Sequence, residues 1–519
     1  MNRSVAFSIV TRVRMFVAAC DEVFLSDDRD GCPHRVARLL DRHVRALRIG
    51  SRAIGPPVVS TALTCTGQQG SMKNVSPTER LYALVANEED ARVCTDISEE
   101  ACREVPGNFF RIILANMLTK IGDLLISPKT VLAWLIVAVG APQALVGVLV
   151  PIRESGSLIP QLVIGAWVRR HPVRKWFWVM GAILQGLAVL GMALAVWLLD
   201  GLAAALAIIA LLAVFSVSRG FCSVAMKDVQ GKTVPKARRG RLAGLAATLS
   251  GVVALLVGLF LFGGSNDPDM RFYSILLLAA GLCWFAAAAV FAGIDEFHGE
   301  TGGGGNALRE AFGSLNLLVR DVPFRNFVIA RAFLMASALG SPFVVVLAQH
   351  HSQGTALLGG FVVASGLASA VSASVWGFMA DASSRQVMIL GGGLAALVCL
   401  AVAGLTLVDP SWRVGSWFYP GAFFVLAIAH SGVRIGRKTY LVDMAGGNKR
   451  TDYTAVSNTV IGVLLLVAGG LSAGVAMLGT SWALLLLGAM GLLGSAWSWR
   501  LPEVSRLPGK TGNNGNNGE

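Results

Sequence analysis

Twelve apolar stretches, each long enough to cross the ~30 Å hydrocarbon core of a bilayer, follow one another from residue 109 onward. They lie at 109–138, 143–168, 176–199, 201–226, 242–263, 272–293, 324–348, 355–380, 387–408, 417–442, 453–479 and 481–499, and are called segments 1 to 12. In lipid every backbone N–H and C=O must find a partner inside its own segment, so runs of this length fold as helices. A chain of 519 residues that is 54% hydrophobic, 14% charged and of mean hydropathy +0.62 has no soluble core large enough to hide that surface. The expected fold class is therefore an all-α integral membrane protein with twelve transmembrane helices.

The charges inside those stretches are unevenly placed. Segment 1 holds Lys120, Asp123 and Lys129, segment 2 the adjacent Arg153 and Glu154, segment 4 Arg219, segment 7 Arg331, and segment 10 Arg434, Arg437 and Lys438. Segments 3, 5, 6, 8, 9, 11 and 12 carry no Asp, Glu, Lys or Arg well inside their apolar run. A charge at the bilayer centre costs from ~2.5 kcal/mol upward, so these residues are expected to face a wet or protein-lined interior.

The net charge of +13 does not point to nucleic acid, because much of it sits between membrane segments. The loop with Arg169, Arg170, Arg174 and Lys175 and the loop with Lys227, Lys232, Lys236, Arg238, Arg239 and Arg241 both join an even segment to an odd one. The opposite loops hold few cations, chiefly Arg271 and Arg413. By the positive-inside rule the basic loops and both termini are cytoplasmic, as in a multi-pass protein of a bacterial inner (plasma) membrane.

Residues 1–71 are Arg-rich and without sustained period, and read as an unstructured or non-native extension; a fresh start at Met72 marks a candidate initiator. The early apolar runs are too short and broken by charge for a secretory signal. Residues 72–108 read as a cytoplasmic head, 294–323, with Gly302–Gly305, as a cytoplasmic linker, and 504–519 as a disordered Gly/Asn tail. Eight scattered cysteines imply no disulfide framework, and Cys94 with Cys102 lacks the companion ligands of a metal site. No metal, no cofactor and no enzymatic chemistry is expected: there is no H-E-x-x-H and no P-loop, and His350 and His351 lie in an outer loop.

The segments repeat. Phe110-Arg111 followed by Ser127-Pro128 recurs 214 residues later as Phe324-Arg325 followed by Ser341-Pro342. Gly165 recurs as Gly377, and Arg219 with Asp228 recurs as Arg434 with Asp443, at nearly the same offset. Near-constant offsets in one order argue for a duplicated unit: two pseudo-symmetric six-helix halves, 109–293 and 324–503.

Two six-helix halves, a cytoplasmic linker, inside termini and a basic loop after segment 2 resemble the major facilitator superfamily of secondary transporters over about 109–503. Its signature after the second helix, Gly-x-x-x-Asp-Arg-x-Gly-Arg-Arg, is partly met by Gly165, Arg170, Arg174 and Lys175, with Arg169 where Asp is expected. The second-half copy keeps Gly377, Asp381 and Arg385. The Gly-Pro antiporter motif of the fifth helix is missing, since 244–263 has no proline. The resemblance implies that segments 1, 4, 7 and 10 line a central cavity and that 3, 6, 9 and 12 face lipid. It implies a gating role for those loop residues together with Asp228 and Asp443.

Helical rise places Asp123 and Glu154 each roughly 21 Å from the inner face. Neighbours on a helix point about 100° apart, so Arg153 and Glu154 cannot share a target; one addresses the cavity while the other pairs with Lys120 or Asp123. Asp123 and Glu154 are the candidates for a coupling proton; the alternative is an ion network that fixes helix packing. Lys120, Arg153, Arg219, Arg331 and Arg434 are the candidate substrate ligands, guanidinium suiting carboxylate or phosphate. Arg219 and Arg434 are read about eight residues from the inner ends of their helices, where snorkelling or pairing with Asp228 and Asp443 is the alternative. Arg437 and Lys438 read as interfacial, and Ser127-Pro128 and Ser341-Pro342 as kinks. The functional expectation is proton-coupled uptake of a small organic anion by a monomer that alternates access. Export of an amphipathic compound or lipid, and a membrane sensor or assembly scaffold on the same fold, are the alternatives.

Overall fold

The structure, a computed structural model, describes residues 99–262, 270–299, 301, 315–349, 355–408, 417–444 and 449–504. The expectations for Met72, Cys94, most of the head, the middle of the linker with Gly302–Gly305, and the tail beyond 504 lie outside those residues. Among the described residues all regular structure is helical. Segment 3 is Lys175–Leu198, segment 4 Gly201–Thr233, segment 5 Lys236–Phe262 and segment 6 Met270–Ala292. Segment 10 is Phe418–Met444, segment 11 Lys449–Ala476 and segment 12 Thr480–Ser498. Segments 8 and 9 run together through Thr355–Val408, interrupted at Ser383, where φ −162° and ψ 102° are extended.

Eight of these helices are long and apolar enough to cross a membrane, and segments 5 and 8 contribute the shorter apolar helices Leu249–Leu261 and Ala356–Ser372. Segments 1 and 2 complete the twelve, each in pieces. Segment 1 is Glu99–Leu125 continued by Val131–Ala138, and segment 2 is a 3-10 turn Gln143–Leu145 followed by Val146–Leu158 and Gln161–Arg169. Pro128 lies in the first of these gaps and Pro160 caps Gln161–Arg169. Proline lacks the N–H a helix needs and crowds the preceding turn, so both positions are natural breaks. Segment 7 departs from the expected symmetry: it breaks at Met335, between Val322–Leu334 and Ala336–Gln349, while Pro342 sits inside the second piece.

Several helices outlast their apolar runs, because near the interface water can satisfy a polar turn that lipid cannot. Segment 4 continues to Thr233, and its Lys232 donates to Pro172 O and Glu296 Oε1, both at 2.7 Å.

Large apolar side chains on segments 3, 6, 9 and 12 point outward, among them Trp197, Ile275, Leu282, Leu397 and Leu493. The two halves meet where segment 2 packs on segment 11 and segment 5 on segment 8. Helix association in lipid relies on close packing more than on hydrophobic exclusion, so small residues mark these seams. A Cβ added at Gly469 would lie 2.0 Å from Pro151 Cγ, and one at Gly147 would lie 3.0 Å from Ala473. Ser155 Oγ also donates to Gly462 O across this seam at 2.7 Å.

The end that carries the basic loops is tied down half by half. Glu296, just past segment 6, has a fully buried side chain that accepts from the Arg174 and Lys175 N–H groups, at 2.8 and 2.6 Å, and from Lys232. A buried carboxylate is tolerable only when so partnered, and the first amides of segment 3 are unpaired donors that suit it. Asp295 pairs with Arg111 at 2.7 Å and exchanges two hydrogen bonds with Asn108. The start of the expected linker, residues 294–299, is thus fastened to segments 1 and 3. The second half repeats the device: Glu503, just past segment 12, accepts from Ser383 Oγ at 2.5 Å and lies 3.5 Å from Arg385 Nε.

Candidate functional site

The charged residues read from segments 1, 2 and 4 meet in one cluster. Asp123 Oδ1 lies 2.7 Å from Arg153 Nη2 and 2.7 Å from Arg219 Nη1, and Arg219 also reaches Oδ2 at 2.8 Å. Arg153 lies with its guanidinium carbon 4.7 Å from the centre of the Phe215 ring, a cation–π contact. Its side chain is only 9% exposed, whereas that of Arg219 is 29% exposed. Lys120 is exposed and within electrostatic reach of Asp123, Arg219 and Arg434.

Segment 4 ends at Thr233 instead of 226, its last turns outlasting the apolar run. The partner of Arg219 is Asp123. Asp228 pairs instead with Arg174 at 3.1 Å.

Between the halves lies a cavity of about 360 Å³. Its charged lining is Lys129, Glu154, Arg219, Arg434 and Arg437, and serines from segments 7, 8 and 10 share the wall. Arg153 and Glu154 divide as their angular separation requires: Arg153 turns to Asp123, and Glu154 lines the cavity. Among the described residues Lys129, Glu154, Arg434 and Arg437 have no side-chain hydrogen bond and no ion pair within 4 Å.

Three lining residues stand outside the candidate ligands read from the sequence: Lys129 and Arg437, named there only as intramembrane charges, and His430, not named at all. Lys129 enters the cavity because the helix breaks beside it at Pro128, which no unbroken-helix ruler shows. Arg437, read as interfacial, lies on the face of Arg434 three residues earlier, since segment 10 runs on to Met444. His430 precedes Arg434 by four and Arg437 by seven, the spacing of one helix face, and its Nδ1 is 3.1 Å from Ser337 Oγ. That spacing was the available signal.

Arg331 lies apart from this cavity lining. It is 6% exposed and donates to Ser457 Oγ at 2.5 Å and Asn458 Oδ1 at 3.0 Å, while its Nε has no acceptor. Asn458 donates in turn to Gln161 Oε1 at 3.4 Å, which links segment 11 to segment 2 across the halves. At the end opposite the basic loops, Gln349 Nε2 donates to Trp134 O at 3.2 Å and Thr480 Oγ1 to Gln143 Oε1 at 3.3 Å. Both bonds cross between halves and help to seal that end.

Of the expected gating residues, Arg174, Asp228, Lys175 and Arg385 make bonds within their own halves. Arg174 holds Asp228, Lys175 Nζ donates to Ala292 O and Ile294 O, and Arg385 holds Glu503 and Leu501 O. Arg170 and Asp443 are exposed at the basic end. A Cβ at Gly165 or Gly377 would meet nothing within 4 Å, so close packing does not require either glycine. The side chains of Arg169 and Asp381 lie outside the described set. Among the described residues no group of three or more His, Cys, Asp or Glu could hold a metal.

The arrangement of these segments has clear counterparts among solved structures. A POT family transporter in complex with 5-aminolevulinic acid superposes with a TM-score of 0.59 at 11% identity, over 75% of this chain and 94% of its own. A D-xylose-proton symporter superposes at 0.58 and 13% identity, over 78% and 99%. The chain has the major facilitator fold. The xylose transporter XylE from E. coli, in a partially occluded inward-open conformation, superposes at 0.55 and 13% identity over 78% and 99%. No protein-family model and no curated protein matches the sequence. Within the major facilitator fold, the cavity draws its wall from segments 2, 8 and 11 as well as from 1, 4, 7 and 10.

Proposed function

We propose that this chain is a secondary active transporter that carries a small organic anion through its central cavity by alternating access, coupled to protons. The observation that carries the reading is the cavity between the halves, with Lys129, Arg219, Arg434 and Arg437 facing one carboxylate, Glu154. Unpaired charges at such depth are costly, and in membrane proteins they mark substrate and ion pathways. The bonds that seal one end, Gln349 to Trp134 and Gln143 to Thr480, support an inward-facing state, with the basic loops on the cytoplasmic side.

In this reading Arg434 and Arg437 hold the anion from the second half and Lys129 from the first. Arg219 contributes its cavity-facing side while Asp123, shared by Arg153 and Arg219, serves as the fixed countercharge. Lys120 guards the approach, and Arg331 acts as a packing cation on the segment 7–11 seam. Glu154, in the cavity without an ion-pair partner, is the residue that takes and releases the coupling proton. Arg170, Arg174, Lys175, Asp228, Arg385, Asp381, Asp443 and the two motif glycines frame the gate at the basic end. A proton symporter among the similar structures supports the coupling. The chain works as a monomer in a bilayer. Export of a lipid would call for an apolar pocket with its charges paired off, and the unpaired lining speaks against it.

The test is proteoliposome uptake with a trapped pH-sensitive dye, screened over metabolites of different charge. An anion that enters and acidifies the lumen in the parent but not in Glu154→Gln supports the reading. Uptake of neutral or cationic solutes alone, or no solute-dependent flux with any compound, overturns it.

A further inference from the structure

The anion reading leaves open how much negative charge the cavity is built to hold, and the pairing of its walls bears on that number. In the first-half cluster Arg219 and Arg153 share Asp123, so that wall is partly neutralised within itself. Lys129, Arg434 and Arg437 are not neutralised. They interact electrostatically with one another and with Glu154, yet among the described residues none of the four touches a partner of opposite charge within 4 Å. Three cations against one carboxylate leave two uncompensated charges around a 360 Å³ space, one cation from the first half and two from the second. Arg331, buried behind them on segment 7 with only Ser457 and Asn458 as partners, adds to the same sign of field. Charges facing an intramembrane cavity are costly without counterions, and among the described residues no carboxylate besides Glu154 lines this one.

Resting on the transporter reading, we propose that the solute is a small organic dianion, a phosphate monoester or a dicarboxylate, held by Lys129, Arg434 and Arg437. Two guanidiniums three residues apart on segment 10 present forked donors to one acidic group, and the ammonium of Lys129 approaches from segment 1. Because Lys129 belongs to the first half and the arginines to the second, a bound dianion draws the halves together. The single carboxylate, Glu154, faces the same space and repels the dianion unless it is protonated. That links the second negative charge of the solute to the proton.

The experiment compares ligands that differ in charge and little else, by thermal stabilisation of the full-length protein in detergent. The pairs are sulfate with sulfamate, succinate with succinamate, and phenyl phosphate with phenyl methylphosphonate. The expected result is half-maximal stabilisation at about tenfold lower concentration for the dianion of at least one pair, the effect of one added charge-assisted contact. That preference is lost in Arg434→Gln and in Lys129→Gln, whose unliganded midpoints confirm that they fold. Equal response to both members of every pair, abolished in the same variants, overturns the dianion while leaving an anion transporter intact. A dianion preference that persists unchanged in both variants overturns the assigned site. No response to any anion, or stabilisation by neutral solutes alone, overturns this proposal and the anion reading together.

Discussion

Replacing Asp123 by Asn removes one negative charge from between two guanidiniums and leaves the shape nearly unchanged. The consequences for the two partners differ, because Arg153 is 9% exposed and Arg219 is 29% exposed in the side chain. Arg219 lines the cavity and keeps access to whatever fills it. Arg153 loses its one ion-pair partner and keeps only the face of Phe215 and the neighbouring charge of Glu154. Breaking a buried pair by removing one partner costs about 3–5 kcal/mol, because the other charge stays behind. The partly exposed Arg219 contact adds no more than about 1 kcal/mol, by the standard of solvent-screened pairs. Asp123→Asn is thus expected to destabilise the protein by about 3–5 kcal/mol, most of it from Arg153. The double variant Asp123→Asn with Arg153→Met removes the stranded cation and should recover more than half of the loss, whereas Asp123→Asn with Arg219→Gln should recover little. Tryptophan-fluorescence unfolding midpoints in detergent rank the four proteins. A single variant as stable as the parent, or a Met double variant no better than Asp123→Asn alone, would refute the claim that Asp123 is the countercharge of a dry arginine.

Three further outcomes follow from the same geometry. Glu154→Gln should abolish accumulation of solute against its gradient while preserving exchange at equal concentrations, which counterflow in proteoliposomes separates. Arg331→Met removes a buried cation whose partners among the described residues are neutral, and should stabilise the fold by about 1 kcal/mol or more, seen as a higher unfolding midpoint, while impairing transport. Gly469→Leu places a side chain where even a Cβ would sit 2.0 Å from Pro151 Cγ. It should cost about 1–3 kcal/mol by overpacking and slow transport; an unchanged transport rate would show that the segment 2–11 seam opens easily.

Much of the architecture was readable from the chain because lipid is so exacting a solvent. Segments 3, 6 and 12 fall within a residue or two of their apolar runs, and the charged segments 1, 4, 7 and 10 do contribute to the cavity. Where structure and sequence part, the cause is tertiary: helical rise along one segment names no partner, so the bond from Arg219 of segment 4 to Asp123 of segment 1 is not legible in it. Arg437 reads as interfacial from its nearness to the end of segment 10, yet it shares the cavity wall with Arg434. Lys129 reads as a charge within segment 1, and its place in the cavity wall beside the break at Pro128 follows only from the fold. Met335 had no local signal, for segment 7 opens there with its proline seven residues away. Glu296 and Glu503 look like ordinary interfacial acids in sequence, and only the tertiary approach of their loops reveals them as anchors.

Those two acids bear on how the molecule divides. Each is the clasp of a closed ring: Glu296 fastens the exit of the first six segments back onto their own early loop, and Glu503 does the same for the last six. Severed between residues 301 and 315 and co-expressed, the two pieces each retain their own clasp. What must then bring them together is the contact between the halves, chiefly segment 2 on 11 and segment 5 on 8 with the bonds of Gln349 and Thr480 at the far end, so these contacts carry the motion from one half to the other.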